Sequence, residues 1–175
     1  MVQSIGWAGM IMFLISYQLK SNKMLYLFQS LGAGLFCLQF LLMGAYSGCF
    51  SLLFILIRGI MLRGYTKDKW IRSKVWPALF IAAFTVIMIE TWAGPVSILS
   101  YIASVVSTVF YWSNNAGKIR IANLCCCSPC WIVYDIIIGS WGGVGNEALT
   151  MISILISIIR FGWKSLFDEN SEFQK

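Results

Sequence analysis

Seven apolar stretches, separated by short polar, basic or glycine-bearing intervals, follow one another along the chain at residues 5–19, 24–43, 48–62, 75–92, 96–112, 119–138 and 144–163. Crossing roughly 30 Å of hydrocarbon takes roughly 20 predominantly apolar residues in a helix. The first and third stretches are the shortest, so they must borrow flanking residues or tilt little. The pattern predicts seven spans, with six as the alternative count.

The basic residues then sort the intervals, because Lys and Arg collect in cytoplasmic loops. With the N-terminus outside, the cytoplasm receives Lys20 and Lys23, then Arg63, Lys67, Lys69, Arg72 and Lys74, then Lys118 and Arg120, and finally Lys164 and Lys175. No interval on the other side contains one. Arg58 and Arg160 alone fall inside spans, toward the cytoplasmic ends, where a long side chain can snorkel to the interface. Seven spans, N-out and C-in, is the expectation.

Composition agrees. With 59% hydrophobic and 11% charged residues and a mean hydropathy of +0.77, the chain has more apolar surface than a soluble domain can bury. A net charge of +6 raises the question of nucleic acid. That reading needs the basic side chains on one solvated face, and here they punctuate apolar runs. The first run lacks a basic segment before it and a small-residue cleavage site after it; Tyr17-Gln18-Leu19-Lys20 follows instead, so it reads as an uncleaved span.

Shifting the chain by 95 residues lays Lys23 on Lys118, Gly44 on Gly139, Ala45 on Ser140, Tyr46 on Trp141 and Gly48 on Gly143. Spans one and five lie four crossings apart and run the same way, so an internal repeat makes two parallel three-helix copies with span four between them. The third pair of spans aligns only after a gap.

Specific strings resemble a known family. Ser128-Pro129-Cys130-Trp131-Ile132-Val133-Tyr134-Asp135, followed by Gly139-Ser140-Trp141-Gly142-Gly143, Glu147 and Ile159-Arg160, is similar to the YgjV family of bacterial inner-membrane proteins, as are Gln18-Leu19-Lys20, Gln29 and Leu41-Leu42-Met43-Gly44-Ala45-Tyr46-Ser47-Gly48. The resemblance covers nearly the whole chain and implies a multi-pass protein of the bacterial inner (plasma) membrane. That family resembles, at a distance, the PQ-loop, SWEET and PnuC transporters, whose 3+1+3 plan matches the one the charges and the repeat suggest. A shared plan does not fix a substrate. The chain also departs from those transporters: Tyr17-Gln18 stands where a Pro-Gln pair is expected, Gln39 where span two has a His, and Asp135 where the span-six motif ends in Asn.

The predicted fold is therefore an all-α membrane protein of seven transmembrane helices, SWEET-like, in two parallel three-helix-bundle repeats. Residues 1–66 form the first repeat, 67–93 a basic cytoplasmic loop and the linker helix, 94–164 the second repeat, and 165–175 a cytoplasmic tail.

Transporter sites are marked by interrupted spans at corresponding places in the two halves. Gly32-Ala33-Gly34 overlays Cys127-Ser128-Pro129. Pro129 lacks an amide hydrogen and clashes with the Cys125 carbonyl, freeing that acceptor near mid-membrane. Gly32, Gly34, Gln39, Pro129 and Trp131, whose ring overlays Phe36, are the candidate substrate-binding residues. The competing reading gives the glycines to close helix packing, Pro129 to a simple bend and Trp131 to lipid.

Glu90, Asp135 and Glu147 fall toward the outer face. A charge within a span costs at least about 2.5 kcal/mol, so Asp135 needs a wet cavity, a partner or a proton and is the candidate for proton or ion coupling; the headgroup layer, about 6 Å away, is the alternative. Glu90 and Glu147 read as headgroup-level. Arg58 lies deeper than Asp135, so a direct pair is not implied.

Cys127 and Cys130 have the spacing of a thiol redox site, which suggests a membrane thiol-redox protein or a non-transporting accessory subunit as the alternative function. Against it, the run is mid-bilayer and the chain has no His and no second ligand pair for a metal. Packing is the favoured role of these thiols. Trp7, Tyr46, Trp76, Trp92, Trp112, Trp141 and Trp163 fall near span ends, as interfacial belts do, and the tail after Trp163 reads as polar and frayed. No phosphate loop, catalytic His or shared carboxylate pair supports an enzyme, a cofactor or a metal. The expected partners are the lipid bilayer and a small-molecule substrate, with no nucleic acid; the resemblance adds homo-oligomerisation, since related plans often associate.

Overall fold

A chain in hydrocarbon must satisfy its own backbone polar groups, and an apolar run does so as a helix. The helices are α1 (Val2–Gln18), α2 (Asn22–Leu42), α3 (Tyr46–Leu62), α4 (Val75–Glu90), α5 (Val96–Trp112), α6 (Ala116–Ala122), α7 (Ser128–Ile138), α8 (Trp141–Phe161) and α9 (Trp163–Phe167). This computed structural model describes residues 2–19 and 21–168; Lys20, Lys175 and the expected tail beyond Asp168 lie outside the described residues. Within them no residue is in a β-strand. Three helical stretches, Asn22–Leu42, Ala116–Ile138 and Trp141–Phe161, are long and apolar enough to cross a membrane, and α3, α4 and α5 are shorter apolar helices.

Local chemistry sets the boundaries. The Asn115 side chain accepts from the Lys118 amide and starts α6, and the Ser140 side chain accepts from the Gly143 amide and starts α8. Gly44 and Gly139 take φ of 73° and 74° in the turns after α2 and α7, a left-handed conformation that favours glycine. Asn123–Cys127 is a π-helical turn joining α6 to α7 as one rod. The Ser128 amide there reaches the Asn123 carbonyl, five residues back. The backbone before Pro129 thus widens by one residue, which differs from the simple proline bend of the competing reading.

Packing closes these helices into a ring. α2 lies between α1 and α3, the α6–α7 rod lies between α5 and α8, and the seams α1–α8 and α3–α5 join the two sets; α4 packs outside, on α5 and α3. The Gly48 amide donates to the Tyr134 hydroxyl at 2.9 Å, which places the α2–α3 and α7–α8 turns at one end. Asn22 Nδ2 donates to the Asn114 carbonyl at 2.9 Å, which places the α1–α2 and α5–α6 turns at the other. α2 and the rod therefore run in the same direction.

Two of the ring helices are polar inside and apolar outside. On α5, Ser97, Ser100, Ser104 and Ser107 are buried while Ile98, Ile102 and Val109 are exposed; on α8, Asn146, Thr150, Ser153 and Ser157 are buried while Ile152, Ile156 and Ile159 are exposed. A water-soluble domain would reverse that arrangement. Lipid accommodates the outward Ile and Val, and small inward residues let helices approach closely. α4 is apolar on all sides and buries only Phe80 and Phe84.

Three expectations change. Arg120 is not in a solvated loop: it is fully buried, with Nε on the Ser157 hydroxyl at 2.8 Å and Nη2 on the Tyr17 carbonyl at 3.3 Å, tying α6 to α8 and α1. Trp112 is buried rather than part of an outward belt, because its indole N–H donates to the Ile71 carbonyl at 2.8 Å and holds the 3-10 turn Lys69–Arg72. The start of the tail is ordered as α9, whose Leu166 is buried and whose Phe167 carbonyl accepts from Asn115 Nδ2.

Candidate functional site: a polarised central cavity

The ring encloses a cavity of about 60 Å³, room for about four to six waters. All six ring elements line it. Its walls are aromatic, from Phe13, Phe36, Phe40 and Trp131, and its charged groups are Arg58, Asp135 and Glu147.

Arg58, on α3, is only 2% exposed. Its Nη1 donates to the Ser107 and Thr108 hydroxyls, each at 2.8 Å, and its guanidinium sits 4.6 Å from the centre of the Tyr111 ring. Two hydroxyls and a ring face partly replace the lost hydration of the cation, so the side chain turns inward instead of snorkelling. Tyr111 donates from its hydroxyl to Gln29 Oε1 at 2.5 Å. Arg58 Nε and Gln29 Nε2 are left as buried donors without partners.

The opposite end offers acceptors. Asp135, 3% exposed, has no hydrogen-bond partner at Oδ1. Its carboxylate lies against Gly143, where an added Cβ would collide with it. Asn146 Nδ2 donates to Glu147 Oε1 at 2.9 Å, which leaves Asn146 Oδ1 buried and unpartnered, along with Thr150 Oγ1. Glu147 is thus a cavity residue, not a headgroup-level one. Counting from the shared end, Glu147 is six residues into α8 and Arg58 twelve into α3, so their backbones differ in depth by about 9 Å.

The structure brings two of the expected site residues to this cavity, Trp131 and Asp135. Trp131 packs on Phe40 and Tyr134, with ring centres 6.4 and 5.4 Å apart. Gly32 instead sits where α1 and α2 touch, its missing Cβ facing Phe13 and the Gly9 carbonyl, and Gly34 faces Leu56. Gln39 is wedged between Gly6 and Gly142, with Nε2 on Gln3 Oε1 at 3.2 Å. Pro129 opens α7 after the π turn. Cys127 lines the cavity and points its thiol at the Ala103 carbonyl at 3.5 Å. Among the described residues no cluster of His, Cys, Asp or Glu could hold a metal ion.

Asn146, Thr150 and Tyr111 were not singled out in sequence, and Gln29 was named only for the family resemblance, not as a site residue. A signal existed: Asn146, Thr150, Ser153 and Ser157 recur every three or four residues on a largely apolar helix. In a membrane protein that stripe marks the inward face.

Residues 1–165 match the family model described as bacterial inner membrane protein, Imp-YgjV. The chain belongs to the YgjV family. As a member, it is an integral protein of the bacterial inner membrane, and the lipid-facing Ile and Val of the ring fit that location. No curated protein and no solved structure matches this YgjV-family chain.

Proposed function

We propose that the protein moves a small polar solute across the inner membrane by alternating access, with the central cavity as the substrate site and the two halves of the ring as the moving parts. One observation carries this reading: a cavity at the meeting point of all six ring helices holds charged groups of both signs and unpartnered buried polar atoms. Such groups are expensive within a bilayer and persist where a solute or ion path needs them.

The ring order supports the 3+1+3 plan. α1 and α5 differ by 94 residues at both ends, α2 and α6 begin 94 apart, and α3 and α8 begin 95 apart. The extra residue falls in the π turn, the expected signature of a one-residue insertion into a helix. The same offset pairs the α1–α8 seam with the α5–α3 seam, as an axis along the membrane normal would. On this reading the chain has seven spans, N-out and C-in, with α4 as the linker, and is similar to the PQ-loop, SWEET and PnuC plan. No catalytic or cofactor chemistry is assigned, and the Cys127 and Cys130 thiols serve packing. Asp135 is the residue through which proton coupling would run.

The test is thermal unfolding of detergent-purified protein against sugars, amino acids, nucleosides and vitamins, followed by uptake of each hit into proteoliposomes. A ligand at 100 times its Kd stabilises by about 2.7 kcal/mol. Saturable uptake of a hit supports transport; binding without uptake removes it and favours an accessory role.

A further inference from the structure

Taking the cavity as a substrate site, we infer that it is built for a small zwitterion, a carboxylate joined to an ammonium, held with its carboxylate toward Arg58 and Gln29 and its ammonium toward Asp135, Glu147 and Asn146. The argument rests on which atoms lack partners. At the deep end they are donors, Arg58 Nε and Gln29 Nε2; at the end by the α7–α8 turn they are acceptors, Asp135 Oδ1 and Asn146 Oδ1; between them the Thr150 hydroxyl can serve as either. All five residues are at most 5% exposed. A neutral polyol presents donors and acceptors everywhere and would not need that segregation. A simple anion would leave the acidic end unmatched, and a simple amine would leave Arg58 unmatched; either leaves buried polar atoms unpaired, at about 1–3 kcal/mol each.

Size sets a further limit. Arg58 is held back by Ser107 and Thr108, and the cavity that lies between the two ends is about 60 Å³. That gap suits a short ligand. The aromatic walls between the ends would pack against methylene groups. A smaller void beyond Arg58, also lined by Gln29, Tyr26 and Ser30, continues on the side away from the acids, so the arginine stands between the site and the next opening.

The experiment uses the full chain in detergent and measures its unfolding midpoint with glycine, β-alanine and 4-aminobutyrate, against butylamine, butyrate and butyramide. At least one zwitterion should raise the midpoint, with butylamine and butyrate at least tenfold weaker. Arg58→Met should abolish the preference over butylamine, and Asp135→Asn the preference over butyrate. Gln29→Leu tests the same end should Arg58→Met fail to fold. No shift with any of the three zwitterions, an equal shift with butyramide, or unchanged discrimination in the variants overturns the inference. A neutral sugar that binds and is taken up would remove the zwitterion while leaving transport intact; a zwitterion that binds without uptake would do the opposite.

Discussion

The α1–α3 half and the α5–α8 half occupy corresponding places in the ring, yet they furnish the cavity differently. At the 95-residue offset Phe36 corresponds to Trp131, an aromatic wall in both halves; Phe40 corresponds to Asp135, Leu52 to Glu147 and Ile55 to Thr150, all lining the cavity. In each of these last three pairs the first half has an apolar side chain and the second a polar one. Arg58, from the first half, is the only cation lining the cavity among the described residues. Under the proposed 3+1+3 plan, backbone placement and site chemistry are separable: the two halves carry opposite linings, and the mismatch polarises the cavity.

The largest effect should come from forcing the halves to match at Phe40. That ring is 2% exposed and packs on Phe36, Trp131 and Tyr134. Phe40→Asp removes it, at about 3–5 kcal/mol, and adds an unpaired carboxylate, at no less than about 2.5 kcal/mol. Thermal unfolding should show loss of the fold or a destabilisation above about 5 kcal/mol; a smaller change would mean that the aromatic lining is not structural.

Moving a carboxylate across the ring is milder. Leu52→Glu alone should destabilise by about 2.5 kcal/mol or more, while Leu52→Glu with Glu147→Leu keeps the number of carboxylates and should recover about half of that loss. Additive losses in the double variant, measured by the same unfolding experiment, would show that the two positions do not share a cavity.

The π turn gives a third contrast. Deleting Cys125 together with Pro129→Ala should convert the turn to regular helix and leave Trp131 and Asp135 facing the cavity, with a midpoint shift of a few degrees, which corresponds to about 1 kcal/mol. Deleting Leu31 from the regular α2 should rotate everything downstream by about 100° and prevent folding. Equal outcomes for the two deletions would sink the insertion reading. The smallest effect is expected at Gly145, a helical position with open space where a Cβ would go. Gly145→Ala should stabilise by about 0.4–1 kcal/mol, whereas Gly143→Ala, against the Asp135 carboxylate, should destabilise.

Much of the fold was legible in the chain. Runs 96–112 and 75–92 are reproduced to within two residues as α5 and α4, because a membrane span is a composition signal that needs no tertiary partner. Helix α1 begins three residues earlier than expected and α8 ends two residues earlier. Site residues were harder. Asp135 stood out because a carboxylate in an apolar run is costly wherever it points. Gln29 and Thr150 carry no such mark individually; their meaning depends on which face of the helix is covered.

The sequence alone determined that the chain is helical and sits in the bacterial inner membrane, since both follow from local hydropathy and the strings that mark the family. Only the tertiary structure decided where Arg58 and Arg120 go. Both are basic residues that sequence rules send toward the cytoplasm, and both turn inward because hydroxyls and carbonyls from other helices meet them there. Whether a charge snorkels or is buried depends on the partners within reach of it, and those partners come from segments tens of residues away.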